Sequence, residues 1–178
     1  MKILGVDPGS RAAGWAVVDF APSPVLVDAG VLRPPRTCTF AERLSFLHGA
    51  LARIVAAGRP DAAAVERVFS GVNPQSLITL GEARGVLLLA LVEAGIPTAE
   101  VTPAEIKRAV AGSGHAEKEQ VRRMVAALLG RRLALDAADA AAAALAHGFV
   151  AARRGASFAA ATRAPAPPSA GVRRRPAG

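Results

Sequence analysis

The residues in this chain whose types and spacing could do chemistry are four carboxylates lying far apart in the sequence. Asp7 ends the apolar run Lys2-Ile3-Leu4-Gly5-Val6-Asp7 and is followed at once by Pro8-Gly9. Glu66 ends a second run, Ala62-Ala63-Ala64-Val65-Glu66. Asp136 and Asp139 stand three apart where a very alanine-rich helix opens, so both point from one face of its first turn. A charge at the end of a buried strand is costly unless something compensates it. Acids gathered at strand ends repel one another unless a cation sits between them. Hard oxygen donors without a Cys or His cluster suit Mg²⁺ or Mn²⁺ rather than zinc. On a chain of net charge +8, that combination reads as a phosphodiester-cleaving site.

Each acid also has a plainer reading when taken alone. Asp136 would serve as a helix N-cap, Asp139 as a first-turn acid favoured by the helix dipole, and Glu66 as an ion-pair partner of Arg67 or Arg84. The metal-site reading rests on the strand-end placement of Asp7 and Glu66 together with the paired aspartates.

Among 22 basic residues only Lys2, Lys107 and Lys118 are lysines. Lys107 and Lys118 fall near loop-to-helix junctions, where a compact ammonium meets a phosphate oxygen as a point charge and an arginine would present a wide fork. Both are expected to contact backbone phosphates near a scissile bond, with Lys118 stabilising charge on that phosphate. Arg84, Arg108, Arg122 and Arg123 are candidates for a wider basic surface that positions DNA without reading its sequence. Phe69 follows Glu66 by three residues and enters a Gly/Ser/Asn loop; a ring there stacks on an unpaired base or wedges between bases, or else folds back onto the helix after Asn73. His147, two turns beyond Asp139, reads as an ordinary helix histidine or as a group reaching the site.

The elements that must position these groups follow from pattern and punctuation. Residues 2–7, 14–18 and 25–32 read as strands, and the short turns between them favour an antiparallel meander. Phe40, Leu44, Leu47, Leu51, Ile54 and Val55 follow helical spacing, with Gly58 closing the helix. A strand at 61–66 leads through the Phe69 loop to a helix that Asn73-Pro74 starts and Gly95-Ile96-Pro97 ends. A short strand spans 98–101, and Thr102-Pro103-Ala104-Glu105 carries a capping box. Helices are expected from about residue 117 to 129 and from about 136 to 153. Three antiparallel strands extended by two parallel ones through crossover helices make one mixed five-stranded sheet in an α/β domain. Asp7 and Glu66 are then neighbours at its centre, over the crevice where open α/β sheets bind ligands.

Composition bounds the rest. The chain's 178 residues suit one domain over 1–155. Residues 1–150 hold all 14 acids. The last 28 hold six arginines and no acid, so an Ala/Pro/Arg-rich basic tail over 156–178 is expected to be disordered. It would make loose contact with a polyanion or serve only for solubility. No uninterrupted apolar run reaches the roughly 18 residues of a membrane span, and the first residues lack the pattern of a signal peptide. One cysteine, Cys38, fits a reducing cytoplasm.

Four motifs taken in order, Gly5-Val6-Asp7-Pro8-Gly9-Ser10-Arg11 with Gly14-Trp15, Val65-Glu66-Arg67-Val68-Phe69, Gly114-His115-Ala116-Glu117-Lys118, and Asp136-Ala137-Ala138-Asp139-Ala140, resemble the RuvC-type Holliday junction resolvases. The resemblance covers residues 1–150. Trp15 stands where family members usually have tyrosine, which keeps a large aromatic. The resemblance implies a ribonuclease H-like fold, a homodimer, and Mg²⁺-dependent paired nicking of four-way junction DNA, with two ions per site and Mn²⁺ able to substitute. It assigns the metal ligands to Asp7, Glu66, Asp136 and Asp139, and implies the RuvAB branch-migration machinery as partner. Three rivals remain in view: a ribonuclease H-like nuclease trimming ribosomal RNA precursors, an actin-like phosphotransferase, and a catalytically silent DNA-binding module. Phe69 and the Asp136/Asp139 pair argue against the first. The absence of a second phosphate loop argues against the second. The third would keep four acids that weaken DNA binding.

Overall fold

A computed structural model of the chain describes residues 1–67 and 73–153. Two expectations therefore lie outside the described residues, the role of Phe69 and the basic tail over 156–178.

Strands β1 (Lys2–Asp7), β2 (Ala13–Phe20) and β3 (Pro24–Leu32) come first, followed by helix α1 (Phe40–Gly58). Strand β4 (Ala62–Glu66), helix α2 (Pro74–Glu93) and strand β5 (Thr98–Val101) complete the sheet. Helices α3 (Pro103–Ala111), α4 (Lys118–Leu129) and α5 (Leu135–Arg153) end the described chain. The sheet order is β3-β2-β1-β4-β5, with β1–β2 and β2–β3 antiparallel and β1–β4 and β4–β5 parallel. This is the expected mixed five-stranded sheet, with β1 and β4 adjacent.

Side-chain alternation splits the core into two layers. Leu4, Val6, Val17, Ala63 and Val65 pack with α1 and α2 on one face. Ile3, Ala16, Val18 and Ala64 pack with α3, α4 and α5 on the other. Counting by twos along β1 and β4, Asp7 falls on the face of Ile3, and Glu66 on the face of Ala64. Both acids thus point toward α5.

Helix α5 lies unusually close to the sheet because both surfaces are stripped of side chains. On the helix, Ala140 to Ala144 are buried. On the sheet, a Cβ at Gly5 would fall 1.9 Å from the Ala140 carbonyl oxygen, and one at Gly14 would fall 1.9 Å from the Asp136 carbonyl oxygen. Gly14 is the cross-strand partner of Asp7. These two glycines bring the first turn of α5 down beside the end of β1.

Local signals held at most boundaries. Thr39 and Thr102 form capping boxes with Glu42 and Glu105, and Asn73 accepts from the Ser76 amide. Gly58 closes α1 as its last helical residue. Arg59 takes the left-handed position, φ 44°, and its N–H bonds the Val55 carbonyl. By length and composition, α2 and α5 could each cross a membrane, which uninterrupted run length did not reveal. Most of α5 is core, however, and α2 carries Glu82 and Arg84 in mid-helix.

Candidate active site

The parallel pairing of β1 with β4 sets Val6 opposite Val65, so Asp7 and Glu66 are the next pair at the strand ends. They open into a cavity of about 140 Å³ whose lining includes Pro103, Ile106, Lys107, Lys118, Val121 and Asp139. Lys107 comes from α3, which Thr102-Pro103 starts immediately after β5. Lys118 is the first residue of α4, where the helix dipole disfavours a cation. The charge of Asp7 and Glu66 offsets that cost, since Lys118 lines the same crevice and lowers the pKa of both.

The acids feel one another. Asp7, ordinarily near 3.8, is pushed up to about 7, first by burial and then by Glu66, Asp139 and Asp136, while Lys118 pulls it back. Burial followed by Asp139 raises Glu66 also, again opposed by Lys118. An excess of buried negative charge on oxygen donors is what a hard divalent cation relieves.

Two arginines supply positive charge meanwhile. Arg122 grips Asp139 with two hydrogen bonds, Nε to Oδ1 at 3.2 Å and Nη2 to Oδ2 at 3.0 Å. Arg33 lies 3.6 Å from Asp136. With Asp136 and Asp139 so engaged, no group of three or more His, Cys, Asp or Glu among the described residues is gathered tightly enough to hold a metal ion. The donor chemistry nonetheless fits such an ion: four carboxylates from β1, β4 and α5, electrostatically coupled through Asp7. The aspartates would have to exchange their arginines for the metal.

Asp136 is no N-cap, since it stands inside the first turn of α5, one residue after Leu135. Glu66 pairs with neither Arg67 nor Arg84, because both arginines turn to Glu100 on β5. The Arg67 Nε lies 3.1 Å from Glu100 Oε2. Arg84 Nη2 lies 2.9 Å from Oε1. Arg84 is thus part of an ion-pair cluster away from the crevice. Arg122 is committed to Asp139. Arg123 lines a separate shallow cavity with Arg132 and Glu119, and Arg108 is exposed in the last turn of α3. His147 is half-buried on α5, absent from the crevice lining, and burial lowers its pKa.

Sequence reasoning missed Arg33, whose contact with Asp136 joins the ends of β3 and α5. Its only signal was position, directly after a strand that ends on the same side of the sheet as β1. Gly5 and Gly14 position α5 in a way their motif does not reveal.

The raised carboxyl gives a stability prediction. Between about pH 4 and 7 the folded, metal-free protein holds a proton on Asp7 that the unfolded chain releases, so stability falls as pH rises through that window. In chelator-treated protein, Asp7→Asn should therefore raise Tm at pH 8 by about 3–6 °C, corresponding to roughly 1–2 kcal/mol, and much less at pH 4. Melting curves at the two pH values check this, and equal shifts at both would remove Asp7 from the strained cluster.

Comparison with known proteins shows the family. The family model described as crossover junction endodeoxyribonuclease RuvC matches residues 3–147. The chain is 51% identical over 148 residues to the crossover junction endodeoxyribonuclease RuvC of Halorhodospira halophila, covering 82% of this chain and 89% of that one. It is similar to the structure of T. thermophilus RuvC in complex with a Holliday junction substrate, at a TM-score of 0.81 and 35% identity, covering 87% of this chain and 96% of that one. The yeast mitochondrial Holliday junction resolvase Ydc2 shares the fold at a TM-score of 0.61 and 15% identity, covering 85% of this chain and 80% of that one.

Proposed function

The chain belongs to the RuvC family of crossover junction endodeoxyribonucleases, and on that footing we propose that it resolves four-way DNA junctions by paired, Mg²⁺-dependent nicks in homologous recombination and DNA repair. The observation that carries this reading is the crevice at the ends of β1 and β4, where coupled acids from three elements face two lysines. Bound Mg²⁺, with Mn²⁺ as substitute and two ions per site, would lower the pKa of the attacking water and stabilise charge on the leaving 3′ oxygen.

The chain's own residues do the rest. Asp7, Glu66, Asp136 and Asp139 hold the ions. Asp7 must lose its proton to do so, and in the metal-free site burial and the neighbouring acids raise its pKa to about 7. Lys107 and Lys118 hold the scissile phosphate over the acids, and Lys118 offsets charge building on its oxygens. The products carry a 5′ phosphate and a 3′ hydroxyl.

Paired nicks need two active sites, hence a homodimer. Helix α2 supports one: Ile78, Leu89 and Val92 are exposed along one strip, and between them Gly81 and Gly85 have open space above their Cα atoms. That strip suits close packing against a second copy of the helix. The RuvAB machinery and the cytoplasm are the family's setting.

Phe69 is assigned to the crossover, where its ring holds bases apart. Phe69→Ala is then expected to slow nicking of fully paired junctions by about tenfold or more, and a junction already unpaired beside the nick restores much of that rate, since unstacking costs a few kcal/mol. Equal loss on both substrates would return Phe69 to a packing role. The functional reading as a whole is tested by offering the protein a labelled four-way junction, a linear duplex and a structured RNA with Mg²⁺. Nicking confined to the junction is expected, and cleavage of the RNA alone would move the chain to an RNA-processing role.

A further inference from the structure

A second basic concavity lies at the β3 edge of the sheet. It has a volume of about 740 Å³ and is lined by Arg11, Arg33, Pro34, Pro35, Arg36 and Arg43. Arg11 follows β1, Arg33 and Arg36 follow β3, and Arg43 stands in the first turns of α1. No acid lines it. Among the described residues only Arg33 of these four forms an ion pair, to Asp136 at 3.6 Å. Glu42, the nearest acid in sequence, is occupied by the amide and hydroxyl of Thr39.

Unneutralised guanidinium groups that share one hollow repel each other, and an anion bound there reverses the sign of that energy. The Pro34-Pro35 pair restricts the backbone between Arg33 and Arg36, so their separation is preset. Planar guanidinium forks match phosphate oxygens. A hollow this large, with several forks around it, suits a run of backbone phosphates rather than a single one.

Its position supplies the context. Strands β1 and β3 run in the same direction, so β3 ends on the side of the sheet where Asp7 and Glu66 end. It lies two strands from β1, about 10 Å away. Lys107 comes from α3, which starts directly after β5 at the opposite edge of the sheet, while Lys118 lines the crevice itself. We propose that the arginine hollow binds the backbone phosphates of the DNA arm on the far side of the scissile bond from Lys107. The two basic surfaces then grip different arms of one junction, with the acids between them. This rests on the junction-resolving reading above.

The test uses the full chain with Arg36→Ala/Arg43→Ala, which leaves Arg33 and its contact to Asp136 in place. Junction affinity is measured against salt concentration. Losing two phosphate contacts should make the slope of log K against log salt shallower by about 1.8, and Arg36→Lys/Arg43→Lys should largely restore it. Should the double variant fail to fold, Arg36→Ala alone, at an exposed loop position, should shift the slope by about 0.9. Phosphate-ethylation interference then locates the contacts. The arginine variant should lose interference on one side of the scissile phosphate, and Lys107→Ala on the other. An unchanged slope, or loss at the same phosphates as Lys107→Ala, overturns the proposal. If the wild-type protein shows no preference for junctions over duplex, it is the functional reading that has failed instead.

Discussion

Asp7→Asn should reduce junction nicking about a thousandfold or more while junction binding persists or tightens. Asp7 is the most central of the four acids, since Glu66, Asp136 and Asp139 all raise its pKa. Removing it withdraws a donor that the other three cannot replace, and the group that fixes a metal is a large share of such catalysis. The same change removes negative charge from a surface that must receive phosphates, so affinity does not fall. Glu66→Gln, Asp136→Asn and Asp139→Asn should behave alike, with one difference. Asp139→Asn also frees Arg122, and Asp136→Asn frees Arg33, so these two should tighten DNA binding more than Glu66→Gln does. Single-turnover nicking at saturating Mg²⁺, paired with gel-shift titration, separates the two effects. Any of these variants that nicks at near-normal rate takes its residue out of the site.

The second large effect involves no chemical group at all. Gly5→Ala would put a methyl 1.9 Å from the Ala140 carbonyl oxygen, and both atoms belong to backbone held by the sheet and by the helix. Helix α5 must move away from β1, carrying Asp136 and Asp139 with it. A displacement of about 1 Å is enough to cost about a hundredfold in rate, and overpacking of this kind destabilises by roughly 3 kcal/mol, or about 6–12 °C in Tm. Gly49→Ala in α1 is the matched control. Its Cβ would meet only Arg53 at an ordinary 3.7 Å, so a small gain in stability and unchanged nicking are expected. If Gly5→Ala nicks normally and melts like the wild type, the close approach of α5 is not what positions the aspartates.

These two cases mark how far the sequence could be read. The acids were visible because each ends or opens an element whose pattern is strong: continuous apolar strands before Asp7 and Glu66, and an alanine helix behind Asp136 and Asp139. Strand parity, also available from sequence, puts Asp7 and Glu66 on the α5 face. The paired engagement of Asp139 by Arg122 and of Asp136 by Arg33 could not be read, because it depends on which elements lie side by side. Arg33 and Arg122 looked like any other arginines in an arginine-rich chain. Arg84 was misleading for the same reason, since its partner Glu100 is on β5 and sixteen positions away. The arginine hollow combines three separate segments and has no local signature. At the end of α1 the glycine stop was legible, since Gly58 is the last helical residue, but the left-handed position at Arg59 was not. Propensity identifies a neighbourhood there; the hydrogen bond to Val55 selects the residue.

The central claim is that two copies of this crevice cut one junction symmetrically by metal-dependent hydrolysis. A synthetic four-way junction, labelled on each strand in turn and incubated with the protein and Mg²⁺, tests it most directly. Nicks at matching positions on two opposed strands, dependent on Mg²⁺ or Mn²⁺ and sealed by ligase without further processing, are the predicted result. Undiminished cutting in the presence of a metal chelator, or nicks scattered over all four arms without symmetry, would contradict it.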